Sequence, residues 1–175
     1  HMGGKLGFTQ PGGELEPLQP DALASLLVPY SPSRGGKLQL VFLNGCNSEA
    51  LGRRLHVAGI PCVVCWRTVV DDTAAKIFAC AFFKACATAA KAAVPPPAGH
   101  AGVVAFDKAC EALRTVKKKR KLQSGEFESV LQFEIKEPPS LPHPAGPVKF
   151  PWASGLPVLL LEGRGVVRVG VESCG

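Results

Sequence analysis

Cys46 closes the run Leu38-Gln39-Leu40-Val41-Phe42-Leu43-Asn44-Gly45-Cys46, a short apolar segment that ends in Asn-Gly just before a thiol. A cysteine placed where a strand gives way to a helix lies near free N–H groups and the positive end of the helix dipole. Both favour the thiolate, the nucleophilic form. Gly45 has no side chain to keep a substrate backbone away, and the Cys46 N–H is placed to help hold an oxyanion. The chemistry this suggests is nucleophilic attack on a carbonyl. The competing reading is a buried structural cysteine, which behaves as a small hydrophobe.

Other groups invite chemistry less directly. Cys62-Val63-Val64-Cys65 has zinc or redox spacing, but in a strand residues i and i+3 face opposite sides. No metal site is assigned there, and no cofactor is expected. His56 falls on the helix after Cys46, and His100 and His143 fall in Pro/Gly-rich loops, so none of them is placed as a base for Cys46. Trp66 is read as a wall of a specificity pocket, with Arg67 or Asp71 setting its charge. Asp71 is equally a helix N-cap. Lys117-Lys118-Lys119-Arg120-Lys121 reads as a solvated helix end or a cleavable inter-subunit loop. A nuclear import signal or nucleic-acid patch is the alternative, and no aromatic residue is interleaved with the run.

The elements that must position these residues follow from periodicity. Leu6–Phe8 and Leu15–Leu18 carry extended signals around Pro11-Gly12-Gly13, and Pro20 to Leu27 is a short helix. Leu38 to Leu43 fits a strand buried on both faces of a parallel sheet. Asn47 to Ala58 has helical spacing, with Asn47 or Ser48 as N-cap and Gly59 as the stop. Ile60 to Trp66 is a second buried strand, and Thr73 to about Ala93 is a long alanine-rich helix with a stripe at Ile77, Phe78, Phe82 and Phe83. Strand–helix–strand–helix is a βαβα unit. A helix over Ala101–Lys119, an exposed strand over Phe127–Ile135, a proline-rich loop over Pro138–Pro151, a buried strand over Val158–Leu161 and an edge strand over Val166–Val171 complete the reading.

Composition bounds the function classes. The chain has 175 residues, 46% of them hydrophobic, enough for one substantial core and too apolar for a disordered chain. Seven cysteines, an odd number at irregular spacing, do not form a disulfide framework and fit a reducing compartment. Neither a signal peptide nor an apolar run of transmembrane length is expected, so the location read is cytoplasmic or nuclear. The net charge of +6 is largely local, since five of the 20 Lys and Arg residues stand in the run at 117–121. His1-Met2 reads as the remnant of an expression tag.

The run from Val41 to Phe83 resembles the core of a CHAT domain, a caspase-like clan CD cysteine peptidase related to separase. The resemblance rests on Leu43-Asn44-Gly45-Cys46, Ser48, Gly59-Ile60-Pro61, Trp66, Asp71 and Phe82-Phe83. Gly13-Glu14-Leu15-Glu16-Pro17-Leu18 followed by Asp21 to Leu27 is similar to the segment between the family's two catalytic motifs. The resemblance implies a three-layer caspase-like α/β sandwich with a mostly parallel sheet, incomplete here at the N-terminus. It implies a Cys–His dyad, with the histidine in a His-Gly motif just upstream of Lys5 and its glycine N–H helping to form the oxyanion hole. Gly3-Gly4 stands there, so Gly4 is the backbone candidate and the histidine itself is expected before Gly3, outside this chain.

The expected organisation is a Cys-bearing core over residues 1–93, with 94–175 as the remainder of that domain or a C-terminal extension. The expected function is a cysteine endopeptidase with Cys46 as nucleophile, acting on a polypeptide and completed by the N-terminal part of its parent chain or other subunits. The alternatives are a non-catalytic interaction module on the same fold and a basic nucleic-acid-associated domain. No membrane partner is expected.

Overall fold

The computed structural model describes residues 6–9, 11–92, 98–131, 155–161 and 165–169. Leu6–Thr9 (β1) pairs antiparallel with Leu15–Leu18 (β2). Helix α1, Pro20–Leu27, opens on proline at its first position, where the missing N–H costs nothing. Two 3₁₀ turns lead to Leu40–Phe42 (β3), then to helix α2, Glu49–Val57, and Cys62–Trp66 (β4). Helices α3, Asp72–Ala90, and α4, Ala98–Thr115, follow. Lys117–Lys121 (β5) and Phe127–Leu131 (β6) form a hairpin, and Pro157–Leu161 (β7) and Gly165–Val169 (β8) end the series.

The central sheet has the order β3-β4-β7-β8. β3 and β4 run parallel, as the βαβ reading requires, whereas β7 is antiparallel to both β4 and β8. The sheet is therefore mixed rather than mostly parallel, and the α/β class holds at the coarser level. All five residues of β4 are buried because helices cover both of its faces. Val63 and Cys65 pack with Leu23 of α1 and Leu51 and Leu55 of α2. Cys62, Val64 and Trp66 pack on the opposite side with Phe78 and Phe82 of α3 and Phe106 and Leu113 of α4. β7 contributes to both halves in the same alternating way, with Val158 and Leu160 on one side and Leu159 and Leu161 on the other.

Four local features differ from the sequence reading. β3 is not buried on both faces; each of its three residues is partly exposed, because β4 covers one edge and no strand covers the other among the described residues. The basic run is neither a helix end nor a loop. α4 stops at Thr115 and Lys117–Lys121 is a strand, held by pairing with β6. His100 lies in the first turn of α4 rather than in a loop. α3, with a mean hydropathy of 1.3 over its apolar window, is long and apolar enough to cross a membrane by length and composition alone, contrary to expectation. Its Phe78 and Phe82 are wholly buried against the sheet.

α2 packs closely on β4 through Gly52. A Cβ there would meet the Cys65 Sγ at 2.9 Å and its Cβ at 3.1 Å. Gly59, at φ 107°, ends the turn after α2 as the sequence suggests.

Candidate active site

Cys46 lies on the connection between the carboxyl end of β3 and the first turn of α2, in the position where open α/β sheets gather functional groups. Several of the hydrogen bonds that shape this loop reach across to β4 or the segment after it. Leu43 N–H donates to Val64 O at 2.8 Å, continuing the ladder one residue past β3. Ser48, buried at 6% exposure, donates its hydroxyl to Leu43 O at 3.2 Å and accepts from Trp66 N–H at 3.0 Å. It occupies the N-cap position of α2 without making a capping bond, so its oxygen joins the ends of two strands instead. Asn47 takes φ 53°, a left-handed turn that asparagine tolerates better than most residues, and its N–H donates to Thr68 O at 3.0 Å.

The Cys46 thiol is half-buried. Its Sγ accepts from Val70 N–H at 3.4 Å, and the S–H lies 3.7 Å from Val70 O. The Gly45 and Cys46 N–H groups make no backbone hydrogen bond among the described residues. Beside the loop is a cavity of about 350 Å³, walled by Leu23 and Leu27 of α1, Val41 of β3 and Leu51 of α2, with Gly45 and Cys46 at its lining. That volume falls in the range of small-ligand clefts, and its walls are mainly apolar.

The other predicted site residues fall into different places. Trp66 is fully buried, and its ring meets Phe78 at 5.1 Å between centroids. It is therefore a core residue and does not wall an open pocket. Its indole N–H donates to Asn44 Oδ1 at 3.1 Å, so it steadies the loop before Cys46 from beneath. Arg67 reaches Glu49 at the start of α2, with Nε 2.7 Å from Oε2 and Nη2 3.2 Å from Oε1. Arg53 engages the same carboxylate from the next turn. Burial, the largest single influence on the Glu49 carboxyl, pushes its pKa up. The hydrogen bonds and charges of Arg67 and Arg53 together outweigh it and hold the group below the usual glutamate value. Asp71 is the N-cap of α3, its Oδ1 accepting from Thr73 N–H at 2.9 Å and Ala74 N–H at 3.0 Å.

Gly4 and His143 lie outside the described residues. His56 is half-buried near the far end of α2, with Nδ1 3.0 Å from Ile60 O. It lies seven positions after Glu49, about 10 Å along the axis, and so two turns away from the thiol's end of the helix. Cys62 and Cys65 pack in opposite halves of the core. Burial pushes each thiol up to about 12, which suits a hydrophobe and not a ligand.

Sequence reasoning missed the Ser48 bridge, the Val70 amide at the thiol and Glu49 as the partner of Arg67. Of these only the last carried a signal, a lone acid at a helix start near a strand-end arginine. What the arrangement offers is a half-buried thiol on a braced loop, next to an apolar cleft, with main-chain donors at Gly45 and Cys46 that have no backbone partner among the described residues. A CHAT domain model matches residues 5–95, just over half of the chain and the part that holds all of these groups.

The chain belongs to the CHAT family. No curated protein and no solved structure matches it. Within this CHAT domain the matched span runs from β1 through α3, so the cysteine loop, both parallel strands and the cleft wall of α1 lie inside it.

Proposed function

We propose that this CHAT domain carries the nucleophile of a caspase-like cysteine endopeptidase, with Cys46 attacking the peptide carbonyl. The observation that carries the reading is the position of the thiol. It sits on a cross-braced loop after a parallel strand, beside a cleft of about 350 Å³. Attack by the thiolate would form the S–C bond as the carbonyl π pair moves onto oxygen, held by main-chain donors such as the Cys46 N–H. Collapse would break the C–N bond, the amine leaving with the proton that the base took from the thiol, and water would then release the acyl group from sulfur. The base is a histidine supplied from N-terminal to Gly3, on a strand laid along the outer edge of β3. Three features support that placement. β3 has an uncovered edge among the described residues, its side chains are half-exposed, and Phe83 of α3 stands 49% exposed beside Phe42 at 5.2 Å. One more strand at that edge would cover Phe83 and the half-exposed side chains of β3.

A second reading, a non-catalytic binding module, draws on one observation. The Val70 peptide both donates to and accepts from the Cys46 thiol, which is a satisfying arrangement for a resting structural cysteine.

Labelling by a peptidyl electrophile separates the two, using the protein with the segment preceding Gly3 included. Exposed Cys80 serves as the internal reference thiol and Cys46→Ala as the control. The peptidase reading expects labelling that is lost in Cys46→Ala, much faster than at Cys80, and dependent on the preceding segment. Labelling of Cys46 no faster than Cys80 in the full protein refutes it and leaves the binding module.

A further inference from the structure

The basic run is a strand, and pairing gives it a partner that the linear sequence does not reveal. Lys117, Lys118, Lys119, Arg120 and Lys121 stand opposite Leu131, Val130, Ser129, Glu128 and Phe127. Alternation puts positions 117, 119 and 121 on one face, together with their cross-strand partners 131, 129 and 127. That face combines three lysine positions with Phe127 and carries no acidic position. Glu128 falls on the other face, opposite Arg120. The hairpin is its own two-stranded sheet, every residue from Lys121 to Phe127 is exposed, and Phe127 is 64% exposed.

We propose that this face of the β5–β6 ribbon binds single-stranded nucleic acid. Same-face lysines on a strand recur at about 7 Å, twice the rise per residue, a spacing comparable to that of consecutive phosphates in an extended strand. Phe127, opposite Lys121 and open to solvent, offers a ring on which an unpaired base stacks. A duplex has its base faces already stacked on each other and gains nothing from that ring. An extended acidic peptide matches the charge spacing but has no flat base to stack on Phe127. The placement also explains an exposed aromatic that would otherwise be an unfavourable choice for a ribbon tip.

The test is binding of a fluorescein-labelled single-stranded oligonucleotide to the whole protein, titrated in salt. Parallel arms use the same sequence as a duplex, polyglutamate, and vesicles containing phosphatidylserine. Three phosphates neutralised on a single strand give a salt slope of about −2, or roughly a twentyfold loss between 50 and 200 mM. The variant Lys117→Ser/Lys119→Ser/Lys121→Ser is expected to lose that slope. Phe127→Ala is expected to weaken the single strand by roughly five- to a hundredfold while leaving the salt slope and the duplex unchanged. Lys117, Lys121 and Phe127 are exposed, and Phe127→Ala keeps the test open if the triple variant misfolds. Equal affinity for polyglutamate or the vesicles, or an unaltered single-strand affinity in Phe127→Ala, overturns the proposal.

Discussion

Replacing Ser48 by alanine removes one oxygen that two backbone groups share. Trp66 N–H loses its acceptor at 3.0 Å and Leu43 O loses its donor at 3.2 Å, in a place where Ser48 itself is only 6% exposed. Orphaning a buried backbone group costs about 1–3 kcal/mol, so the pair should cost about 2–3 kcal/mol. With a urea dependence of about 2 kcal/mol per molar, the unfolding midpoint should fall by roughly 1 M. The ordinary expectation for a serine at a helix start is a cap, and a cap would be satisfied or improved by aspartate. The bridge makes the opposite claim. A carboxylate accepts from Trp66 N–H but has no proton to give Leu43 O, and it brings a charge into a closed site. Ser48→Asp should therefore be less stable than Ser48→Ala. Urea unfolding of the three proteins decides it, with Cys46 labelling rate as a second readout that rises when the loop loosens. A midpoint shift under about 0.3 M for alanine, or an aspartate variant more stable than alanine, would refute the bridge.

Stability should also depend on acid through Glu49. Its carboxyl is held below the ordinary glutamate value of 4.5, so its contribution is fully present above that value and is lost as pH falls through the lower folded value. Glu49→Gln should flatten the stability–pH curve in that acid window and nowhere above it. Cys62 and Cys65, both pushed up to about 12 by burial, should resist alkylation of the native protein at pH 8 while exposed Cys80 reacts, as peptide mass mapping would show. Gly155 sits at φ 100° with Val70 Cβ 2.9 Å from where its own Cβ would be. Gly155→Ala should displace Val70 and change the Cys46 labelling rate by several-fold; an unchanged rate in a folded variant argues against that route.

The segment from β3 to α3 was legible because each buried element declares itself locally. Cys62–Trp66 is an unbroken apolar run, and Asp71 stands immediately before the helix it caps. Parity carried further than it was used. Alternation from Cys62 sends Val64 and Trp66 to the α3–α4 side, so the burial of Trp66 was contained in the same rule that separated Cys62 from Cys65. The direction of β7 had no such signal, because strand sense depends on the route of the connection and not on the residues of the strand. The basic run failed for a related reason. Lysines favour helix, and only pairing with Phe127–Leu131 makes Lys117–Lys121 a strand.

The position of the thiol is set from far along the chain. Trp66 N–H holds Ser48, Thr68 O holds Asn47 N–H, and Val70 N–H meets Cys46 Sγ, so three alternate residues, from the last of β4 to Val70, brace the loop. That brace is itself fixed by the entry to β7, through Arg67 N–H to Leu156 O at 2.9 Å and Leu156 N–H to Thr68 Oγ1 at 2.9 Å. A loop held by main-chain groups tolerates changes in the bracing side chains but not in the bracing backbone. Thr68 and Ser48 are the exceptions, since their hydroxyls carry the links. A thiol mounted this way has its position fixed by the fold itself, and on the proposed reading what would separate a peptidase from a binding module is the group brought to it along the edge of β3 that no described strand covers.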